Sequence, residues 1–301
     1  MRVLHADDFA GRVTFITGPG RATGKTSLLN AALALLRAGG ESTAILGMGF
    51  DGEGSGARGD AETLGARGCA RIRVAAGELF VSAEAWLDGS TLCPEILAVL
   101  PGSSALGRLA LVRARRAGAI VLVGPEGNGM AAQAIDIARR EFGATSAVVD
   151  GAFNRISQVA VLPGSRFISS VRLDAANLPG LAKRMRLLAR LSGLPTSAAS
   201  PMDGAFEVRG PLTATTIADI PTGAPGVIVE DFTKVFLDEG ELEAFLRGRD
   251  LAVRRYVEFR GFVLVLQGVD ERRVAELLGP GFPEGLLIRN PYEHVDDRDA
   301  A

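Results

Sequence analysis

The fold of this chain is decided by a stretch that reads V-T-F-I-T-G-P-G-R-A-T-G-K-T-S-L-L-N from Val13 to Asn30. A β-branched and aromatic run comes first, a loop with three glycines follows, and an apolar pattern at helical spacing comes last. Strand, glycine-rich loop and helix in this order favour phosphate binding, because loop N–H groups and the helix N-terminus attract negative charge. In such a loop Lys25 reaches the terminal phosphates, and the Thr26 hydroxyl binds Mg²⁺.

The loop is one residue longer than the strict pattern G-x-x-x-x-G-K-[ST]. The first glycine of that pattern would stand at position 19, where this chain has Pro19, and Gly18 lies one residue earlier. The longer spacing resembles that of dethiobiotin synthetase-like ATPases. The alternative is a glycine-rich turn followed by a chance Lys-Thr pair. The predicted nucleotide contacts are Gly20, Arg21, Ala22, Thr23, Gly24, Lys25, Thr26 and Ser27, with Asp150 and Asn154 from a later segment.

Composition limits the class of protein. With 47% hydrophobic and 23% charged residues, the chain is typical of folded globular proteins. A formal net charge of −2 argues against a nucleic-acid binder that works mainly by electrostatic attraction. The two cysteines, Cys69 and Cys93, belong to no metal-ligand pattern, and no signal peptide or membrane span is recognisable. We therefore expect a cytoplasmic protein without direct membrane or nucleic-acid contacts.

The rest of the chain alternates between strand and helix patterns. This rhythm predicts an α/β fold with a mainly parallel sheet flanked by helices. We expect a P-loop nucleotide-binding domain over residues 1–195, a C-terminal α/β extension over 205–292, and a disordered tail over 293–301. The Ser-, Pro- and Ala-rich segment 192–204 is the predicted linker. Two runs, 107–116 and 119–123, are expected to pair as a hairpin or as adjacent strands.

Four carboxylates follow predicted strands or lie in glycine-rich loops, namely Asp51, Glu53, Glu126 and Asp150. Mg²⁺ prefers oxygen ligands, so carboxylates at the ends of neighbouring strands are expected near a phosphate site. We predict Thr26, Asp51 and Glu126 as metal ligands, with Lys25, Asp51 and Glu126 as the catalytic group. Asp150 is the second choice for holding metal or water. In the alternative interpretation each carboxylate only caps a helix or stabilises a turn.

Several segments occur in an order that resembles a known family. They are Gly24-Lys25-Thr26 with Leu29-Asn30, Gly49-Phe50-Asp51-Gly52-Glu53, Gly124-Pro125, Val149-Asp150-Gly151-Ala152-Phe153-Asn154-Arg155, Gly210-Pro211-Leu212-Thr213, and Asp231-Phe232-Thr233-Lys234-Val235-Phe236. In this order they resemble the P-loop subunit of the reactivase for lysine 5,6-aminomutase, a dethiobiotin synthetase-like P-loop NTPase. Phe50 departs from the family pattern, which has arginine at that position.

The resemblance implies an ATP- and Mg²⁺-dependent, chaperone-like ATPase. Such a subunit works with a MutS-like partner to release damaged cobalamin from an adenosylcobalamin-dependent aminomutase. The chain has no Asp-x-His-x-x-Gly signature, so we do not expect it to bind cobalamin itself. A homodimer is compatible with the sequence. The first alternative is an ATP-dependent ligase or kinase acting on a small metabolite, because Glu126-Gly127-Asn128-Gly129 is similar to a dethiobiotin synthetase segment. The second is an interaction module without turnover.

Overall fold

The computed structural model describes residues 1–20, 22–49, 72–87, 90–104, 106–120, 122–153, 162, 164–200 and 202–292. The chain forms two compact units. The first, here the N-terminal unit, comprises residues 2–172, 263–265 and the chain from 288 onward. The second, the C-terminal unit, comprises residues 173–262 and 266–287, with Met1. The predicted tail, 293–301, lies outside the described residues.

The elements up to residue 173 are β1 (Val13–Gly18), α1 (Lys25–Ala38), β2 (Thr43–Gly47), β3 (Ile72–Val74), β4 (Leu79–Ala83), β5 (Pro94–Ser104), β6 (Gly107–Ala114), β7 (Gly118–Ile120), α2 (Asn128–Arg140), β8 (Ser146–Phe153) and β9 (Arg166–Leu173). The later elements are α3 (Leu178–Ser192), β10 (Phe206–Glu207), β11 (Leu212–Thr213), β12 (Gly226–Val229), β13 (Val235–Phe236), α4 (Glu239–Leu246), β14 (Asp250–Val253), β15 (Glu258–Leu266), α5 (Glu271–Leu278) and β16 (Leu287–Arg289).

Within the described ranges, one large sheet has nine strands in the order β16-β15-β9-β1-β8-β2-β4-β6-β5. Its centre is parallel, since β1 pairs with β8 and β9, and β2 pairs with β8 and β4. The strands β4, β6 and β5 are antiparallel at one end. The protein therefore has an α/β architecture with a large, mostly parallel sheet flanked by helices, which confirms this part of the predicted fold class.

Helix α1 is fixed to the sheet by its apolar face. Its inward side chains recur at helical spacing and are buried, and they join a core cluster that includes Ile16, Ile45 and Val148. Burial of each leucine contributes about 1.5–3 kcal/mol. The helix ends at Ala38, before Gly39 and Gly40. Because β1 and α1 are both held in this core, the two ends of the loop between them are held as well.

The expected pairing of segments 107–116 and 119–123 was wrong. Strand β6 instead pairs with β4 on one side and with β5 on the other. The β5–β6 hairpin ends in the pair Ser104–Gly107, and Gly107 has a φ of +105°. The hairpin partner of β6 is therefore β5, the strand that precedes it. Strand β7 pairs with β3 in a separate antiparallel ribbon.

The described part of the C-terminal unit contains a three-stranded parallel sheet, β10-β12-β14, and a short parallel pair, β11-β13. Helix α3 packs against α4 and α5. Arg186 of α3 donates to both carboxylate oxygens of Glu239 at 2.7 and 2.9 Å, and to the Leu277 carbonyl at 2.6 Å. Arg190 pairs with Glu243 at 3.4 Å. Two basic side chains of α3, Arg186 and Arg190, are thus paired with glutamates within this unit.

The segment in which the sequence predicts a linker, 192–204, is hydrogen-bonded to β14. The Ser197 N–H donates to the Val253 carbonyl at 2.8 Å, and the Val253 N–H donates to the Pro195 carbonyl at 2.9 Å. Thr196 and Val253 also form a parallel bridge. This segment is therefore part of the C-terminal unit. In the described portion of the chain, no helix combines the length and the apolar character needed to cross a membrane.

Candidate functional site

The loop between β1 and α1 lies at the carboxyl end of a central strand. It turns through two residues in the left-handed region, Ala22 at φ +52° and Gly24 at φ +89°. Ala22 carries a side chain there, which costs roughly 1–3 kcal/mol and requires support from its surroundings. The Leu28 N–H donates to the Gly24 carbonyl at 2.9 Å, so the N–H groups of residues 25–27 precede the first helical hydrogen bond.

Lys25 folds back over this loop. Its Nζ donates a hydrogen bond to the Gly20 carbonyl oxygen at 2.7 Å. The same oxygen accepts a longer hydrogen bond, at 3.4 Å, from the Thr23 hydroxyl. An ammonium group therefore lies against the loop backbone at the N-terminus of α1, where the helix dipole adds to its positive potential. This is the chemistry that attracts an anion with several oxygen atoms.

Strand β9 supports the loop from the neighbouring position in the sheet. The Ser170 hydroxyl donates to the Thr23 carbonyl at 2.6 Å, and Ser170 is fully buried. Arg172 Nη1 donates to the Ala22 carbonyl at 3.4 Å. A Cβ on Gly18 would lie 2.6 Å from the Thr23 hydroxyl oxygen and 2.8 Å from the Ser170 carbonyl oxygen. The strand thus fixes the backbone on both sides of the left-handed turn.

Strand β9 and its two contacts with the loop were not predicted from the sequence. A signal for the strand was present, since Arg166–Leu173 reads R-F-I-S-S-V-R-L and contains a short apolar and β-branched run. The contacts themselves could not be found in this way, because Ser170 and Thr23 are 147 positions apart in the sequence.

Asp150 lies one strand away from the loop. It is half-buried in β8, where it is in register with Ile16 of β1 and with Gly47 of β2. The Met48 N–H donates to its backbone carbonyl at 2.8 Å. Asp150 therefore stands inside a strand, between the carboxyl ends of β1 and β2, and the pairing with β1 shifts register directly after it.

Glu126 is exposed and lies in the segment before α2. The residues just before it are held close to the end of β2. The Gly49 N–H donates to the Pro125 carbonyl at 2.9 Å, and the Gly124 N–H donates to the Gly49 carbonyl at 3.0 Å. A Cβ on Gly124 would overlap the Gly47 carbonyl. The segment carrying Glu126 therefore docks at the same carboxyl edge that contains Asp150.

The structure brings together many of the predicted site residues, but it describes only part of the set. One loop and the first turn of α1 contain Gly20, Ala22, Thr23, Gly24, Lys25, Thr26 and Ser27. The predicted residues Arg21, Asp51, Glu53 and Asn154 lie outside the described residues. In the described portion, no group of three or more His, Cys, Asp or Glu side chains is arranged to hold a metal ion.

Comparisons with protein-family models, with curated proteins and with solved structures found no match to this chain. The geometry of the loop and its neighbours therefore carries the functional interpretation, together with the sequence motifs.

Proposed function

We propose that this protein binds and hydrolyses ATP, with Mg²⁺, at the loop between β1 and α1. One observation carries the proposal, namely the hydrogen bond from Lys25 Nζ to the Gly20 carbonyl at the N-terminus of α1. The bond holds a cation beside a helix N-terminus and at the carboxyl edge of a parallel sheet. Ligands of open α/β sheets bind at this edge. A nucleotide triphosphate has the charge and the row of oxygens that such a site favours.

The side chains near the loop fit Mg²⁺ by their chemistry. Mg²⁺ takes one or two protein oxygens and completes its octahedral shell with phosphate oxygens and water. The Thr26 hydroxyl and the Asp150 carboxylate are such oxygens on α1 and on the strand next to β1. Asp51 and Glu126 remain proposed ligands from the sequence. When bound, the ion would neutralise part of the phosphate charge.

In this proposal the chain's own residues position the reacting group and stabilise its charge. Lys25 and the N–H groups at the start of α1 would hold the phosphate oxygens and offset the negative charge that develops during transfer to water. Asp51, Glu126 or Asp150 would orient the attacking water. These roles need no nucleophilic side chain, and positioning with electrostatic stabilisation is the main requirement of phosphoryl transfer.

We further propose that the ATPase acts as a reactivase subunit for an adenosylcobalamin-dependent aminomutase, together with a MutS-like partner. The support is the family resemblance, to which the C-terminal unit adds one observation. Two of the segments that carry the resemblance lie side by side, because Leu212 and Thr213 of β11 pair with Val235 and Phe236 of β13. Phe236 is 61% exposed there, so an aromatic side chain of this segment is accessible to a partner.

Phosphate release from ATP tests this proposal. The purified protein is compared with Lys25→Ala and with Lys183→Ala, a control at an exposed lysine of α3. Turnover that is lost in Lys25→Ala and kept in Lys183→Ala supports the ATPase. Turnover raised by an inactivated aminomutase and the MutS-like partner supports the reactivase. Stimulation by a free metabolite alone would favour the ligase or kinase, and turnover unaffected by Lys25→Ala would overturn the site.

A further inference from the structure

We infer that Ser170 of β9 is a positioning residue that holds the phosphate loop in its binding conformation. The inference rests on the proposed function, because it concerns the loop proposed to bind ATP. Ser170 lies outside the motif between Gly18 and Thr26, and it reaches the loop only through the pairing of β9 with β1. No pattern in the loop itself assigns it a role.

One hydrogen bond and two close approaches of glycine backbone place Ser170 at the turn of the loop. Its hydroxyl donates to the Thr23 carbonyl at 2.6 Å. A Cβ on Gly24 would lie 3.2 Å from the Ser170 hydroxyl oxygen, and a Cβ on Gly18 would lie 2.8 Å from the Ser170 carbonyl oxygen. The loop backbone thus packs against this serine both before and after the left-handed residue Ala22.

The hydrogen bond matters because the loop conformation is intrinsically unfavourable. Ala22 has a positive φ without being glycine, so the turn relaxes unless its surroundings hold it. Loss of the Ser170 hydroxyl would also leave the Thr23 carbonyl without this buried donor. We therefore expect the loop to sample other conformations more often when the hydroxyl is removed. An anion that needs several loop N–H groups at once would then bind less tightly.

Ser169 provides a matched control on the same strand. It is 6% exposed, whereas Ser170 is fully buried. Successive side chains of a strand point to opposite faces, so Ser169 does not share the face of Ser170. In the pairing with β1 it stands opposite Thr17. Ser169→Ala thus removes a buried hydroxyl from the same element without removing the bond to Thr23.

The experiment compares Ser170→Ala and Ser169→Ala in the full chain by three measurements. They are the Kd of Mg·ADP by calorimetry, the thermal midpoint, and amide hydrogen exchange of residues 20–27 in nucleotide-free protein. We expect Ser170→Ala to weaken ADP binding by about 3- to 10-fold and to speed exchange in the loop. Ser169→Ala should leave both ADP affinity and loop exchange unchanged, with a comparable thermal midpoint. Ser170→Cys, which keeps a small side chain but is a weaker donor, should give an intermediate effect.

Two results separate this inference from the proposed function. If wild-type protein binds ADP and Ser170→Ala matches Ser169→Ala in affinity and loop exchange, the role of Ser170 is overturned. If wild-type protein binds no ADP, the proposed function fails. The loop exchange then decides the positioning role by itself, because faster exchange in Ser170→Ala alone supports it and equal exchange in both variants overturns it.

Discussion

Lys25, the first residue of α1, and Gly20, in the loop before it, are joined by a hydrogen bond of 2.7 Å from the side-chain ammonium to the backbone carbonyl. The hydrogen bond restrains the lysine side chain against the loop backbone, and its charge is offset by a peptide dipole. A bound anion would compete with this carbonyl for Nζ.

The two glycines at the start of the loop should respond differently to alanine. Gly18→Ala places a Cβ 2.6 Å from the Thr23 hydroxyl oxygen and 2.8 Å from the Ser170 carbonyl, so the loop must move. Among the described residues, a Cβ on Gly20 would come within 4 Å of only the Thr23 methyl, at 3.7 Å, which is an ordinary contact. We expect Gly18→Ala to lose ATP binding and Gly20→Ala to keep it, as measured by calorimetry. Equal affinity of the two variants would contradict the described loop geometry.

Asp150 should matter for Mg²⁺-dependent turnover. Asp150→Asn keeps the size of the side chain but removes the charge beside β1, so we expect phosphate release to fall by about 10-fold or more. The matched control is Asp136→Asn, on the exposed side of α2. Steady-state rates across a Mg²⁺ titration give the comparison. Unchanged rates in Asp150→Asn would leave the metal to the ligands predicted first from the sequence, Asp51 and Glu126.

The close approach of Gly124 to β2 predicts a stability effect. A Cβ at Gly124 would overlap the Gly47 carbonyl, whereas a Cβ at Gly127 would meet no described residue within 4 Å. We expect Gly124→Ala to lower the free energy of unfolding by about 1–3 kcal/mol, since the backbone must move apart. Gly127→Ala should be nearly neutral. Urea denaturation of both variants measures the difference, and equal midpoints would show that β2 and Gly124 are not in contact.

The pair Arg186–Glu239 predicts a pH dependence of stability in the C-terminal unit. Hydrogen bonds from Arg186 lower the pKa of Glu239 in the folded protein. Its contribution is therefore present above the unfolded pKa and is lost as the pH falls through the folded pKa. At neutral pH, Glu239→Gln should cost about 1 kcal/mol or less, because both side chains are partly exposed.

The difference between wild type and Glu239→Gln should shrink on acidification below the usual glutamate pKa, when the wild-type carboxylate becomes protonated. Glu284→Gln, at an exposed position of the same unit, is the control and should show no such trend. Thermal midpoints between neutral and acidic pH provide the test. A constant difference across this range would mean that the ion pair does not contribute.

The sequence predicted those parts of the fold that depend on local signals. Strand β1, the loop and helix α1 were each predicted from a local signal, namely the β-branched run, the glycines and the regularly spaced leucines. All three formed where expected. Local patterning was sufficient for β1 and α1, whereas the parallel strand β9 beside β1 was not predicted.

Partners that depend on long-range pairing were not predictable in this way. The hairpin partner of β6 was assigned wrongly, because periodicity shows that a segment is a strand without showing which strand it pairs with. The support of the loop by Ser170 depends on a strand that is far away in the sequence. The close approach of Gly47 and Gly124 likewise depends on packing between segments that are distant in the sequence.

The most direct test of the central claim is the affinity of wild type and Lys25→Ala for ATP·Mg²⁺, measured by titration calorimetry, with thermal midpoints as a check on folding. We predict that wild-type protein binds at one site, and that Lys25→Ala binds about 10- to 100-fold more weakly at a similar midpoint, since a charged hydrogen-bond donor is lost. Absence of binding to folded wild-type protein, or equal affinity in the two proteins, would contradict the assignment of this loop as a nucleotide site.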